Sequence, residues 1–454
     1  MERATQWSRM VLAAVLPLVL MGVILLPTRT ASAVGCGDPP QLAAQAPQAQ
    51  ERWRYTYDGA GNYQVVGWTP TEATLLVNSP GCAISHIAVV GLNILDGTEM
   101  WRVTYDQLQG EITSAATTGS GLAIVSTSQM VYAFDETTGD QRWSAVHGYE
   151  GWPEIITTEN DIIVLSVDNS LTGVSASDGA IAWQQMLPVG SVSDWENIAG
   201  GPLVALGRPE TEGQDVQAFG LDKTTGMILW QTPVGQTATS TGGTLELAGN
   251  GSGTIAAEVL TDATAALVTL DGATGAIAWS APLANDGSYG RMYLTNGAAP
   301  AVVYATGGSL EVKSATGYDA ATGAVRWKNQ NIGADALLAD ATHIVGAGPS
   351  VSYLNALVMV DGETGEMLWA QPEALVDGSF TGTAQVFVSE LTFTPAFQEG
   401  SAPTVTSVDL ATGSMLWQNS YPEFESLFIS GQAAGIVLAD GSTAEEAVLV
   451  ALAS

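Results

Sequence analysis

One nine-residue pattern recurs in phase along this chain and leaves few folds open to it. An acidic or short polar residue, a Gly and, four residues after the Gly, a Trp appear as "DGATGAIAW" (Asp271 to Trp279), "DAATGAVRW" (Asp319 to Trp327) and "DGETGEMLW" (Asp361 to Trp369). Aligning on Gly and Trp adds Gly97 with Trp101, Gly139 with Trp143, Gly179 with Trp183, Gly226 with Trp230 and Gly413 with Trp417, alongside Gly275, Gly323 and Gly365. The eight tryptophans are spaced 42, 40, 47, 49, 48, 42 and 48 residues apart. One such nonapeptide means little, but eight in phase mark a structural repeat.

Each position has a physical reason. An apolar or alternating run, such as "AALVTL" (Ala265 to Leu270), precedes the turn and reads as a strand. The Asp accepts hydrogen bonds from N–H groups inside the turn, and Asn93 or Ser175 keeps a short acceptor where Asp is absent. Gly takes the positive φ that closes a tight hairpin loop. The Trp lies in the returning strand, where burial of the ring contributes about 4–6 kcal/mol by area, an upper bound. Between Trp143 and the next turn, "EIITT" (154–158), "DIIVLSV" (161–167) and "SLTGVSA" (170–176) fill the repeat with strands. Four short antiparallel strands per ~45 residues is the period of a β-propeller blade.

The two ends complete the pattern. "ERWRYTY" (51–57) resembles a Trp strand without predecessors, and "EAVLVALAS" (446–454) a pre-turn strand without its Trp strand. Trp53 stands 48 residues before Trp101, in phase with the rest. Pairing the two ends would remove two exposed sheet edges. The expected fold is therefore all-β: a propeller of eight or nine four-stranded blades, closed by the N-terminal strand against the C-terminal strands. Residues 51–454 form one domain, preceded by a short linker, 34–50.

Residues 1–33 read differently. Arg3 and Arg9 precede the apolar run Met10 to Pro27, and "TRTASA" ends at Ala33, as in a secretory signal cleaved after Ala33. Retained, the 18-residue run would be just long enough for a membrane anchor, and contact with a membrane is expected only through residues 10–27. Lipidation at Cys36 is a third arrangement, weakened by the polar stretch before that cysteine. Export to an oxidising compartment favours a Cys36–Cys82 disulfide, worth roughly 4 kcal/mol in the chain-entropy model; the alternative is two separate thiols.

Charge excludes partners. The chain carries 13 Lys+Arg against 46 Asp+Glu, a net charge of −33, and its lysines are Lys223, Lys313 and Lys328. Nothing clusters cations for nucleic acid or for an anionic lipid surface.

The D-x-x-T-G-x-x-x-W pattern, preceded by a strand, resembles the pyrroloquinoline quinone (PQQ)-type β-propeller repeat over residues 50–454. The resemblance implies that Trp53, Trp101, Trp143, Trp183, Trp230, Trp279, Trp327, Trp369 and Trp417 dock one blade on the next. The family includes calcium- and PQQ-dependent dehydrogenases and non-enzymatic propellers such as the outer-membrane-assembly scaffold. The sequence has neither the adjacent Cys-Cys pair of many such dehydrogenases, nor C-x-x-C-H, nor a G-x-S-x-G nucleophile elbow. His86, His147 and His343 fall in three different repeats without ligand spacing. The expected function is thus an exported, non-catalytic scaffold that binds a protein or a surface ligand, with no cofactor, no metal and no nucleic acid. A PQQ/Ca-dependent quinoprotein dehydrogenase with a degenerate pocket is the alternative.

Strand parity suggests where a partner would sit. The Thr-Gly turns share one face, and the connections between blades lie on the other. Tyr105, Tyr149, Trp152, Trp195, Tyr421 and Phe424 fall in those connections, with Asp106, Glu150, Glu154, Asp194, Glu196, Glu423 and Glu425 beside them. Aromatics rimmed by charge suit an interface centre; the alternative is that the rings fold inward to plug the channel mouth.

Overall fold

A computed structural model describes residues 47–453, apart from 57–61, 69–71, 79–87, 149–150, 160, 212, 237–243, 250–252, 261–264, 284–288, 298, 308–313, 330–336, 339–341, 348–356, 372–383, 388–389, 395–401, 434–435 and 443–446. Residues 1–46 and Cys82 lie outside the described residues, and with them the expected signal segment, both candidate cysteines and most of the linker.

Among the described residues thirty-six strands pair into nine antiparallel sheets of four. Eight are continuous in sequence: blade 1 (62–104), blade 2 (112–146), blade 3 (154–186), blade 4 (191–236), blade 5 (244–282), blade 6 (289–329), blade 7 (337–371) and blade 8 (384–420). Blade 9 is mixed. Its first three strands are Ser426–Ala433, Ile436–Ser442 and Ala447–Ala453, and its fourth is Gln50–Thr56 from the other end of the described chain. Trp53 pairs with Ala451 and Tyr55 with Leu449, so the ring is a nine-bladed β-propeller closed by its terminal strands.

The core lies between blades rather than within them. Of nine buried clusters eight include one repeat tryptophan, and half-buried Trp230 packs against the ninth. Trp53, for example, packs with Leu92 and Ile94 of blade 1 and Leu438 and Leu449 of blade 9. Strands buried on both faces, such as Ile162–Val167, are correspondingly apolar along their length.

A single geometry repeats at eight joints. The indole N–H of each fourth strand donates to the carbonyl of the residue after the turn's acidic or polar residue in the next blade. The pairs are Trp53 to Ile94, Trp101 to Glu136, Trp143 to Ala176, Trp183 to Lys223, Trp230 to Gly272, Trp279 to Ala320, Trp327 to Gly362 and Trp369 to Leu410, at 2.5–3.2 Å. The same indole lies flat against that turn's glycine. A Cβ on Gly275 would come within 2.4 Å of the Trp230 ring, and the eight turn glycines hold φ of 68–74°. Gly is required there twice over, for its dihedral and for its missing side chain. The turn closes from Gly275 N–H to Asp271 O at 2.7 Å, while the Asp271 carboxylate accepts both the N–H and the hydroxyl of Thr274 at 2.8 Å.

The ninth joint differs. Trp417 is buried, yet its Nε1 has no hydrogen-bond partner among the described residues. It faces blade 9, where the third and fourth strands come from opposite ends of the chain and no covalent turn offers a carbonyl. Replacing Trp279 by Phe orphans the Ala320 carbonyl, whereas Trp417→Phe breaks no such bond. Urea melts are therefore expected to find Trp279→Phe the more destabilising of the two by about 1–2 kcal/mol.

The turn carboxylates also set the acid limit. Arg326, then Thr322, holds Asp319 at about 2; Thr274 lowers Asp271, the Thr225 N–H lowers Asp222, and Arg142 lowers Asp135. A depressed folded value stabilises above the unfolded carboxylate range of about 4 and is lost as pH falls toward the folded value. Stability is expected to decline between about pH 4 and 2, and Asp319→Asn to flatten that decline in acid titrations followed by circular dichroism.

Candidate binding face

Antiparallel order puts the eight turns on one face and the connections 105–111, 147–153, 187–190 and 421–425 on the other. The proposed rim aromatics separate into four environments. Trp152, in the connection before blade 3, is 63% exposed. Tyr105 is half-buried in a 3-10 turn, Tyr105–Gln107, capped by Thr104 and Gln107, with exposed Asp106 accepting from the Thr104 hydroxyl. Trp195 is in no connection: it lies within the innermost strand of blade 4, Ser191–Asn197, pairs with Ala205 and packs half-buried against the cluster between blades 3 and 4. Tyr149 and Glu150 lie outside the described residues.

Tyr421 and Phe424 do not belong to an exposed face. Both are buried, and their rings stack 5.3 Å apart at 10° beneath the Arg54 guanidinium, itself held by Glu51 and Glu423. Burial pushes the Tyr421 phenol up to about 12. The cause is the seam: these rings fill the space where blade 8 meets the mixed blade, with Arg54 entering from the N-terminal strand. The acidic neighbours divide in the same way. Asp194 accepts the Leu247 N–H at 2.7 Å, joining the innermost strands of blades 4 and 5, and Glu154 is raised by burial and then by Asp194. Glu425 remains exposed.

The same face contains a feature that the aromatic pattern did not signal. Gly151 lies against Val167, and Asn169 donates its side-chain amide to the Leu187 and Val189 carbonyls at 3.2 and 2.8 Å. That tether fixes Pro188 and Val189 at the edge of a cleft of about 360 Å³, lined further by Pro209, Gln214, Asp215, Gln217, Gln231 and Gln236. The Gln231 amide donates to Gln217 Oε1 at 3.3 Å. Amides offer donor and acceptor together and the Asp215 carboxylate adds an acceptor, so such a cleft suits hydrogen-bonding ligands such as peptide backbone or sugar hydroxyls over anions. A second recess, lined by Thr118, Ser120, Thr158 and Asp161, opens on the turn face.

The histidines take scaffold positions. His147 is buried with Nε2 3.1 Å from the Thr127 carbonyl, and burial lowers its pKa; His343 opens a strand of blade 7 beside the Thr342 hydroxyl; His86 lies outside the described residues. Among the described residues no group of three or more His, Cys, Asp or Glu side chains converges on a metal position.

A ring of four-stranded blades joined by indole-to-turn hydrogen bonds, with a cleft on the connection face, defines a PQQ-type β-propeller. The family model described as "Outer membrane protein assembly factor BamB" matches residues 86–255 and 212–452, and the chain belongs to that family. No curated protein matches it in sequence. Among solved structures it is similar to a eukaryotic initiation factor (11% identity, 84% of this chain and 91% of that one, TM-score 0.55) and to BamB from Moraxella catarrhalis (14%, 89% and 99%, 0.49). It is also similar to the quinohemoprotein alcohol dehydrogenase ADHIIG from Pseudomonas putida HK5 (12%, 90% and 76%, 0.48). At these identities the likeness is of fold alone.

Trp152→Ala is expected to leave the free energy of unfolding within about 0.5 kcal/mol of the parent, as for an exposed side chain. Trp195→Ala should cost about 2–3 kcal/mol through lost packing between blades 3 and 4. Paired urea melts read both.

Proposed function

We propose that the protein is an exported, non-catalytic scaffold whose connection face docks a protein or surface ligand of the cell envelope. The observation that carries this reading is Trp152: a large ring left 63% exposed in a connection, where eight of the nine repeat tryptophans are buried and the ninth, Trp230, is half-buried. An isolated exposed indole is a frequent interface anchor, and the amides of the cleft on the same face would supply orientation. Family membership supports the class, since the matched family is named for assembly of outer membrane proteins rather than for a reaction. Export rests on the sequence pattern of residues 1–33, with a mature N-terminus at Val34.

The PQQ-dependent alternative needs a platform for the quinone, and this sequence has no adjacent cysteine pair to supply the one found in many such enzymes. No reaction step is assigned to this chain.

A photo-crosslinking side chain at position 152 tests the reading in the producing cell, with one at Thr412 on the turn face as control. A discrete adduct from 152, absent from 412 and competed by unlabelled protein, is expected. The reading fails if position 152 gives no adduct above position 412. It also fails if purified protein, given PQQ and Ca²⁺, reduces a redox dye with an alcohol or sugar.

A further inference from the structure

Glu136 follows Asp135 directly in the turn of blade 2, and its carbonyl accepts the Trp101 indole N–H. Its side chain, 5% exposed, faces back into blade 1 toward Thr74 and Glu72. Glu72 opens the second strand of that blade, Glu72–Asn78, and is 6% exposed. Two carboxyls thus meet inside the joint between blades 1 and 2. They act on each other through charge, and no hydrogen bond joins them among the described residues. Burial and then Glu72 push Glu136 up to about 7, and burial raises Glu72 against the opposing Trp101 N–H.

Two further observations point to something missing between them. Glu72 Oε1 is buried without a hydrogen-bond partner among the described residues, and the Thr74 hydroxyl, 0% exposed, has only the Glu136 carboxyl to turn to. Buried oxygens of this kind normally have partners. The chain also contains its own comparison. At the same repeat offset in blade 4 stands Lys223, buried, its Nζ held by Glu159, by Asn197 Oδ1 at 2.8 Å and by the Ile198 carbonyl at 2.8 Å. Where blades 3 and 4 meet, the sequence supplies a cation among oxygen acceptors. Where blades 1 and 2 meet, it supplies two carboxyls with the Trp101 N–H and the Thr74 hydroxyl beside them and no cation in the place that Lys223 takes. Asp135 also bears on both glutamates, but it is paired with Arg142 at the surface.

We propose that the joint between blades 1 and 2 is a site for a hard divalent cation of the Ca²⁺ class, with the carboxylates of Glu72 and Glu136 and the hydroxyl of Thr74 as protein ligands. An all-oxygen donor set without His or Cys suits Ca²⁺ or Mg²⁺ rather than zinc or copper. A divalent ion neutralises both carboxylates, whereas a monovalent one leaves a buried charge. Ca²⁺ tolerates an irregular set completed by water, while Mg²⁺ demands a tighter octahedron. Bound there, the ion would stitch two blades beside the Trp101 clamp. This assignment is independent of the proposed docking function.

The test uses the full chain stripped with EDTA and dialysed against radioactive Ca²⁺ at about 0.15 M salt, which screens the surface acids. One saturable equivalent is expected, weakened at least tenfold in both Glu72→Gln and Glu136→Gln and unchanged in the surface control Glu210→Gln. Saturating Ca²⁺ should raise the melting temperature of the parent by about 3 °C, more at pH 8 than at pH 5 because protons compete for the ligands, and leave both variants unmoved. Near-UV circular dichroism checks that the variants fold. If either does not, Thr74→Val keeps both acids and should still weaken the ion several-fold. No saturable equivalent, or one that survives in Glu72→Gln/Glu136→Gln, overturns the site. So does a stripped protein that gains stability on acidification but ignores Ca²⁺, which would assign the pair to a retained proton.

Discussion

Eight of the nine joints of this ring turn on one directional contact, an indole N–H from one blade to a turn carbonyl of the next. The donor sits on a fourth strand and the acceptor between a third and a fourth strand, so a blade gives one bond forward and receives one from behind, except where blade 8 meets blade 9. Closure makes the last blade give to the first, and Trp53 does so at Ile94 because the fourth strand of blade 9 comes from the N-terminal side of the chain. The same closure deprives Trp417 of an acceptor. What replaces it is local: Ala49 and Asn419 exchange two hydrogen bonds at 2.9 and 3.1 Å, and Arg54 covers the Tyr421–Phe424 stack. The seam substitutes side-chain contacts for the turn that the strand order withholds.

That dependence explains what could be read in the sequence. Turn and indole obey strict local rules, a short acceptor, a glycine at positive φ and a ring four residues later, so the blades and their closure follow from spacing alone. Counting Trp53 in phase with Trp101 gives nine blades, and the terminal strand of blade 9 resolves the choice between eight and nine. The candidate face was legible only in outline. Trp195 reads as part of a connection because the strand that contains it, "SVSDWEN", is polar, and periodicity does not show where such a strand starts. Tyr421 and Phe424 look like rim residues until the seam is seen to need filling. Glu72, Thr74 and Glu136 are scattered over 65 residues, and no linear spacing announces that the ring folds them together.

An acidic chain of this kind needs a way to hold carboxylates without many cations. The turns provide it. Asp222, Asp271, Asp361 and Asp409 each accept from backbone N–H groups two or three residues on, at 2.7–2.9 Å, and Thr hydroxyls reinforce three of them. Arginine reaches such a turn at Asp135 and Asp319. Backbone dipoles therefore stand in for counter-ions at most turns. The Glu72–Glu136 joint is unlike these turns, for it gathers two carboxyls where the strand ladders already use the neighbouring N–H groups.

The division of labour between the two faces follows. On the turn face nearly every short segment receives an indole from its neighbour, so a change of length or of glycine there would open a joint. The connections on the other face receive no indole; 421–425 fills the seam, Leu187 and Val189 pack between blades 3 and 4, and the Pro153 carbonyl accepts the Thr113 hydroxyl of blade 2, but their remaining residues carry no such duty. They can differ in length and composition without disturbing the ring, and they do: one forms a 3-10 turn, another presents Trp152, and a third edges the amide-lined cleft. A partner surface on this fold has its freedom to diversify on that side, because there alone sequence is released from holding blades together.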